Sequence, residues 1–404
     1  MRWQQDGTYQ PWIVAAGLAS VTPSGMLASV KLRTIGLVFA LAVVVAPAIA
    51  RACIWDTETL MQERARFPTA LELMTGKFLR HTPEFYAWRI QDRLARIKEE
   101  PDNLALVDDL AAAHDKLGAH AEAIAAMEAI LPRDPRRYET LANLGTFYMH
   151  SGDLERGLEF IDRALHENPD AHFGRERYQR WLAEYMLAKR GADGSLELPL
   201  FTREPHGFEI FLAAKFGAQH LATADAQAAV KAVLGMMRFG KHDSPILCEA
   251  LGDLLNAPDS AADARLLATR AYLMAARATR DRSARAAYEE MAEQAASGMR
   301  SFGDREDTSI EGIKAALKRE RAEADAWYAE LAERELEWID DSPDPEAEVR
   351  LLYAEDPAIT GNFRPANESP REFLARHWLV LTVIVAAIVG LAVLGRRMSR
   401  PPVV

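Results

Sequence analysis

Three prolines set the terms on which this chain can fold. Pro101, Pro135 and Pro169 stand 34 residues apart, twice in succession, in "KEEPDN", "PRDPRR" and "HENPDA". Proline lacks a backbone donor and is excluded from helix interiors, so each one marks the close of a helical stretch. A fixed period of this length points to a repeated supersecondary unit. Between Pro135 and Pro169, Leu141, Leu144 and Tyr148 form an apolar stripe at helical spacing. "HSGD" supplies a turn, and Leu158, Ile161, Ala164 and Leu165 form a second stripe. The preceding unit aligns on the same frame. Val107, Leu110 and Ala111 match Leu141, Leu144 and Gly145, while Gly118 matches Gly152, Ala123 matches Gly157 and Met127 matches Ile161. Antiparallel helices approach closely where side chains are nearly absent, so Ala111 and Gly145 are expected at helix crossings.

This pattern resembles the tetratricopeptide repeat, a 34-residue unit with small residues at positions 8, 20 and 27 and proline at 32. Residues 138–171 carry Gly145, Gly157, Ala164 and Pro169 at those places. Residues 104–137 carry Ala111, Ala123 and Pro135, with Ile130 in place of the third small residue. The resemblance implies an all-α solenoid of antiparallel helix pairs that binds protein or peptide partners. Alanine-rich composition agrees, since alanine costs least in a helix.

Residues 53–103 then read as a helical N-terminal cap, with "PEFYAWRIQDRLARIKEEP" as the second helix of a degenerate repeat. Residues 104–190 hold two repeats and a following capping helix, and 191–300 hold diverged helical repeats. Within the latter, Gly252, Ala264 and Ala271 keep the small-residue spacing without the final proline, and 196–205 breaks the helical pattern. Residues 301–340 predict a long amphipathic helix, which either folds back on the repeats or pairs with a second chain. Glu320 and Arg321 interrupt its stripe, which disfavours a self-sufficient coiled coil. Residues 341–377, rich in Pro and acidic groups, read as a linker.

The two ends carry apolar runs. Residues 1–52 read as an N-terminal extension and secretory signal, with Met26 as an alternative start. Lys31 and Arg33 precede an apolar stretch from Ile35 to Ala46, and Ala50-Arg51-Ala52 is an A-x-A cleavage pattern before Cys53. Trp378–Gly395 offers 18 uncharged residues, about 27 Å as a helix and long enough to cross a hydrocarbon core. Arg396, Arg397 and Arg400 follow, so residues 396–404 are expected to be cytoplasmic. The implied location is a bacterial cell membrane, with most of the chain periplasmic and one helix in the bilayer. In that oxidising compartment Cys53 and Cys248 read either as a disulfide or as two unpaired thiols, with Cys248 buried.

Net charge is −11, and −14 once residues 1–52 are removed. That argues against nucleic acid as a partner. Ten histidines are scattered without an H-E-x-x-H or other i, i+4 pair, and nucleotide-binding glycine loops and G-x-S-x-G are absent from the sequence. No cofactor and no metal ligand set is expected on this basis. The resemblance places the first helix of each pair along a groove. It would expose Asp108, Ala112, Asp115 and Lys116, then Asn143, Thr146, Met149 and His150, then Phe173, Arg177, Arg180 and Glu184. Asn143 and Arg177 fit a carboxylate clamp of the kind some family members use, but Asp108, Ala112 and Phe173 do not. The expected function is a membrane-anchored scaffold in an envelope complex. An envelope enzyme of hydrolase type and a thiol role for Cys53 and Cys248 stand as alternatives.

Overall fold

In a computed structural model of the chain, residues 56, 58, 67–169, 174–200, 207–258, 262–297 and 307–354 are described. The predicted signal, Cys53 and the apolar run 378–395 lie outside them. Among the described residues every regular element is a helix, and no helix is long and apolar enough to cross a membrane.

The helices are α1 (Ala70–Thr75), α2 (Pro83–Glu99), α3 (Leu104–Lys116), α4 (His120–Ile130), α5 (Tyr138–Ser151), α6 (Leu154–Glu167) and α7 (Arg175–Lys189). They continue as α8 (Gly207–Lys215), α9 (Thr223–Phe239), α10 (Pro245–Leu255), α11 (Ala262–Ala278), α12 (Arg282–Ser297), α13 (Ile310–Asp341) and α14 (Pro345–Ala354). Local chemistry sets their limits. Thr82 caps α2 by accepting from Phe85 N, with Pro83 at the first helical position. Ser244 and Pro245 start α10 in the same way. Asp153 caps α6, and Gly152, at φ 93°, ends α5 in the left-handed region that other residues enter at a cost. The three repeat prolines all fall in the connections.

Pairs α3–α4 and α5–α6 are the two repeats, and their crossing is as tight as the small residues require. A Cβ on Gly145 would lie 2.6 Å from Ile161 Cγ1 and 3.0 Å from Ile161 N. One on Gly157 would lie 3.0 Å from Gly145 O. Ala111, Ala123, Leu144, Phe147 and Ile161 are fully buried around these crossings, each large apolar side chain contributing about 1.5–3 kcal/mol. A second, larger core joins α7–α12 and reaches back to Leu73, Met74 and Phe78. Tyr178, Leu182 and Tyr185 of α7 are buried in that core.

Helix α13 packs back on the molecule, against α1, α2, α11 and α12. One of the charges that interrupt its apolar stripe, Glu320, is part of the docking: Arg270, 4 % exposed, holds it with two bonds of 2.8 and 2.9 Å. One expectation is corrected at α14, inside the predicted linker. Asp344 accepts from Ala347 N at 3.0 Å and Pro345 opens the helix, so an Asp-Pro pair read as extended is a helix start. Helix α14 buries Val349 and places Glu346 on Arg89 (2.9 Å) and Arg93.

Around Arg89 the N- and C-terminal parts meet through buried charge. Arg89 is fully buried and lies 2.7 Å from Glu58 Oε1 and 3.7 Å from Asp56. His81 bonds Glu58 at 2.6 Å and Glu335 at 2.5 Å, and Glu335 also accepts from Thr82 N. Burial alone would depress the His81 pKa, but the Glu58 charge and the hydrogen bonds to Glu335 and Glu58 raise it to about 9. The folded value exceeds the unfolded one of about 6.5, so the proton stabilises the fold fully below pH 6.5. That contribution is lost as pH rises through 9. Urea melts should therefore show stability falling across this window, by up to about 1.4 kcal/mol per pH unit, and His81→Gln should flatten the dependence.

Candidate functional site

A cavity of about 660 Å³ opens between the repeats and the helices that follow them. Its wall is built from the repeat frame. Asp115 and Lys116 end α3, Met149 and His150 end α5, and Ala183 lies on α7. Asp115, Met149 and Ala183 are successive steps of 34 residues, as are Lys116 and His150. The period seen in the sequence thus becomes a surface, lined by frame-equivalent positions of the alternate helices α3, α5 and α7. Gln179, Leu182 and Met186 continue the α7 side, and Met236, Phe239, Ile246 and Leu247 close the cavity from α9 and α10. Lys116 joins the two sides. It is half-buried, and its Nζ donates to the carbonyls of Phe239 and Gly240, the latter at 3.2 Å. Burial lowers its pKa, opposed by the nearby Asp115 and Asp56 charges.

The polar centre of the wall is Asp115, whose carboxylate meets two imidazoles. His120 Nδ1 lies 2.8 Å from Oδ1, and His150 Nδ1 lies 2.9 Å from Oδ2. Burial would raise the Asp115 pKa, but the facing histidines and Lys116 hold it well below the usual carboxylate range. The bond to Asp115 raises the His120 pKa. Thr146 and Gln179 add a buried hydrogen bond of 3.1 Å beneath Met149.

Of the groove residues expected from the sequence, Thr146, Met149 and His150 line this cavity, together with Asp115 and Lys116. Asn143 does not: it is fully buried, with Nδ2 3.9 Å from Met127 Sδ. Asp108 and Ala112 are buried as well, Asp108 held by Arg137. Arg177 is exposed elsewhere on α7, and Arg180 pairs with Asp162 and, at 2.6 Å, with Glu184. Phe173 lies outside the described residues. Gly174, at φ 71°, precedes α7, which starts at Arg175, and the helix offers Gln179, Leu182, Ala183 and Met186 to the cavity. His120 carries no signal in the sequence, because nothing in its spacing links it to His150, 30 residues on.

The carboxylates that burial raises most lie away from the cavity. Asp253, pushed up to about 8 by burial and the Glu249 charge, accepts from Phe208 N at 2.8 Å and Tyr272 OH at 2.9 Å. Asp108, raised to about 7 by burial, is bound by Arg137. Among the described residues Cys248 is a free, fully buried thiol, while Cys53, the other half of the expected pairing, lies outside them. Burial pushes its pKa up to about 12, which removes the thiolate that exchange chemistry needs.

A comparison with protein-family models matches residues 116–184 to the tetratricopeptide repeat. That span runs from the end of α3 into α7 and includes Gly145, Gly157, Ala164 and Pro169. Comparison with curated proteins and with solved structures gave no match. The 34-residue frame, the glycine crossing of α5 and α6 and this match together identify residues 116–184 as a tetratricopeptide-repeat segment.

Proposed function

We propose that this protein is a membrane-anchored, extracytoplasmic scaffold whose repeat cavity holds a protein or peptide partner in an envelope complex. Tetratricopeptide repeats are interaction modules, and the observation that carries the reading is the cavity itself. Its wall combines apolar surface from Leu182, Met186, Met236, Phe239 and Leu247 with a few convergent polar groups at Asp115, His120, His150 and Gln179. Such a mixture anchors an apolar side chain and fixes its orientation. The methionines add a polarizable, adaptable surface.

The location is supported by the signal pattern before Cys53 and by the 18-residue apolar run 378–395 with its basic flank. One bilayer helix at that end would hold the cavity near the membrane. Purification of the full chain after crosslinking in its own membranes tests the reading, with a chain lacking 378–404 as control. A partner recovered with the full chain and depleted in the control is expected. Recovery of nothing above background from either chain overturns it.

A further inference from the structure

We infer that Asp115, His120 and His150 form a binding site for a divalent transition-metal ion of the zinc type, open to the cavity. The three donors come from three places in the fold: the last turn of α3, the first residue of α4 and the last turn of α5. The connection is what brings them together. Gly118, at φ 78°, turns the chain so that Ala119 N bonds His114 O at 2.9 Å and His120 returns over Asp115. His150 arrives from the next repeat. One ligand atom from each of the three lies within 4.8 Å of the other two.

A tetrahedral zinc ion, bonded at about 2.0–2.1 Å, holds its ligands about 3.4 Å apart. The Asp115 oxygens already stand 2.8 and 2.9 Å from the two Nδ1 atoms. Closing the remaining distance between the rings asks for a small rotation of side chains that are about a third exposed, at 30 % and 34 %. Asp115 is the fixed member, with 2 % of its side chain exposed. Two imidazoles and one carboxylate make a borderline donor set that suits Zn²⁺, Co²⁺ or Ni²⁺ better than Mg²⁺ or Ca²⁺, which take oxygen ligands. Each ring binds the metal through Nδ1 as the neutral tautomer that carries its hydrogen on Nε2, which leaves the Nδ1 lone pair free.

Three protein ligands would leave a fourth position open, and all three residues line the cavity. The ion therefore ties the two repeats together at the point where they form the wall. It also presents one exchangeable position to whatever the cavity holds. The site does not depend on the scaffold reading.

Untagged full-length protein, stripped of metal, is titrated with Zn²⁺ by calorimetry, and with Co²⁺ followed by visible absorption. One Zn²⁺ per chain is expected, together with a Co²⁺ spectrum unlike that of the aqueous ion. In the double variant His120→Asn/His150→Asn the affinity should fall by about 100-fold or more, with the metal-free thermal melt checking its fold. His166→Asn, at an exposed histidine remote from the cavity, should leave binding unchanged. Equal Zn²⁺ affinity in wild type and double variant overturns the assignment. So does an aqueous Co²⁺ spectrum from the wild type, a result that needs no variant.

Discussion

Replacing Arg89 with methionine should cost about 3–5 kcal/mol of unfolding free energy. The guanidinium is fully buried and is shared among Glu58 at 2.7 Å, Glu346 at 2.9 Å and Asp56 at 3.7 Å. Methionine fills much of the volume but leaves those carboxylates with only His81 and Arg93 to balance them. Removing one member of a buried ion group costs far more than the group contributes, because the stranded charge keeps its desolvation penalty. Arg93 still holds Glu346 and, at 2.7 Å, Asp109, so α14 should loosen without detaching wholly. Arg89→Lys keeps the charge but loses the fork, and an intermediate cost is expected. Urea melts measure both. A loss below about 1 kcal/mol in Arg89→Met would mean that the N- and C-terminal parts are joined by other contacts.

Gly145→Val carries the other large effect, expected at about 3 kcal/mol. The added carbon meets Ile161 Cγ1 at 2.6 Å and Cδ1 at 2.7 Å, and behind them Ile161 N at 3.0 Å. The side-chain part of the clash can be relieved, but the backbone part cannot. In a double-mutant cycle, Ile161→Ala should therefore recover part of the loss and leave the rest. Gly145→Ala should cost less than Gly145→Val, as Ala111 occupies the equivalent place in the preceding repeat. Thermal unfolding reads the series. Equal stability of wild type and Gly145→Val would remove the close crossing on which the repeat frame depends.

The repeats are legible in the sequence because their geometry is set by residues with one job each. Proline ends a helix, glycine permits a crossing, and both recur at a fixed interval, so spacing alone pairs Gly145 with Gly157. The long helix α13 is legible from its apolar spacing. Its destination is not, because Glu320 and Arg321 look like surface charge until Arg270 is set beside them from 50 residues upstream. Arg89 gives no signal for a similar reason: an arginine on an amphipathic helix is ordinarily solvated, and the partners that bury it come from Glu58 and α14. In the cavity, the frame locates Thr146, Met149 and His150 but assigns Arg177 and Arg180 to it as well. Ala183 keeps the frame in the cavity wall, while Arg180 pairs with Asp162 and Glu184 and Arg177 is exposed. His120 is found only by folding one repeat against the next.

The central claim is that the wall made by the ends of α3, α5 and α7 is where a partner sits. A photoreactive amino acid placed at Met149 in the full chain, and separately at the exposed His166 on α6, tests it in the protein's own membrane. Irradiation should give a discrete adduct from position 149 and none from 166. An adduct from 166 without one from 149 would contradict the account.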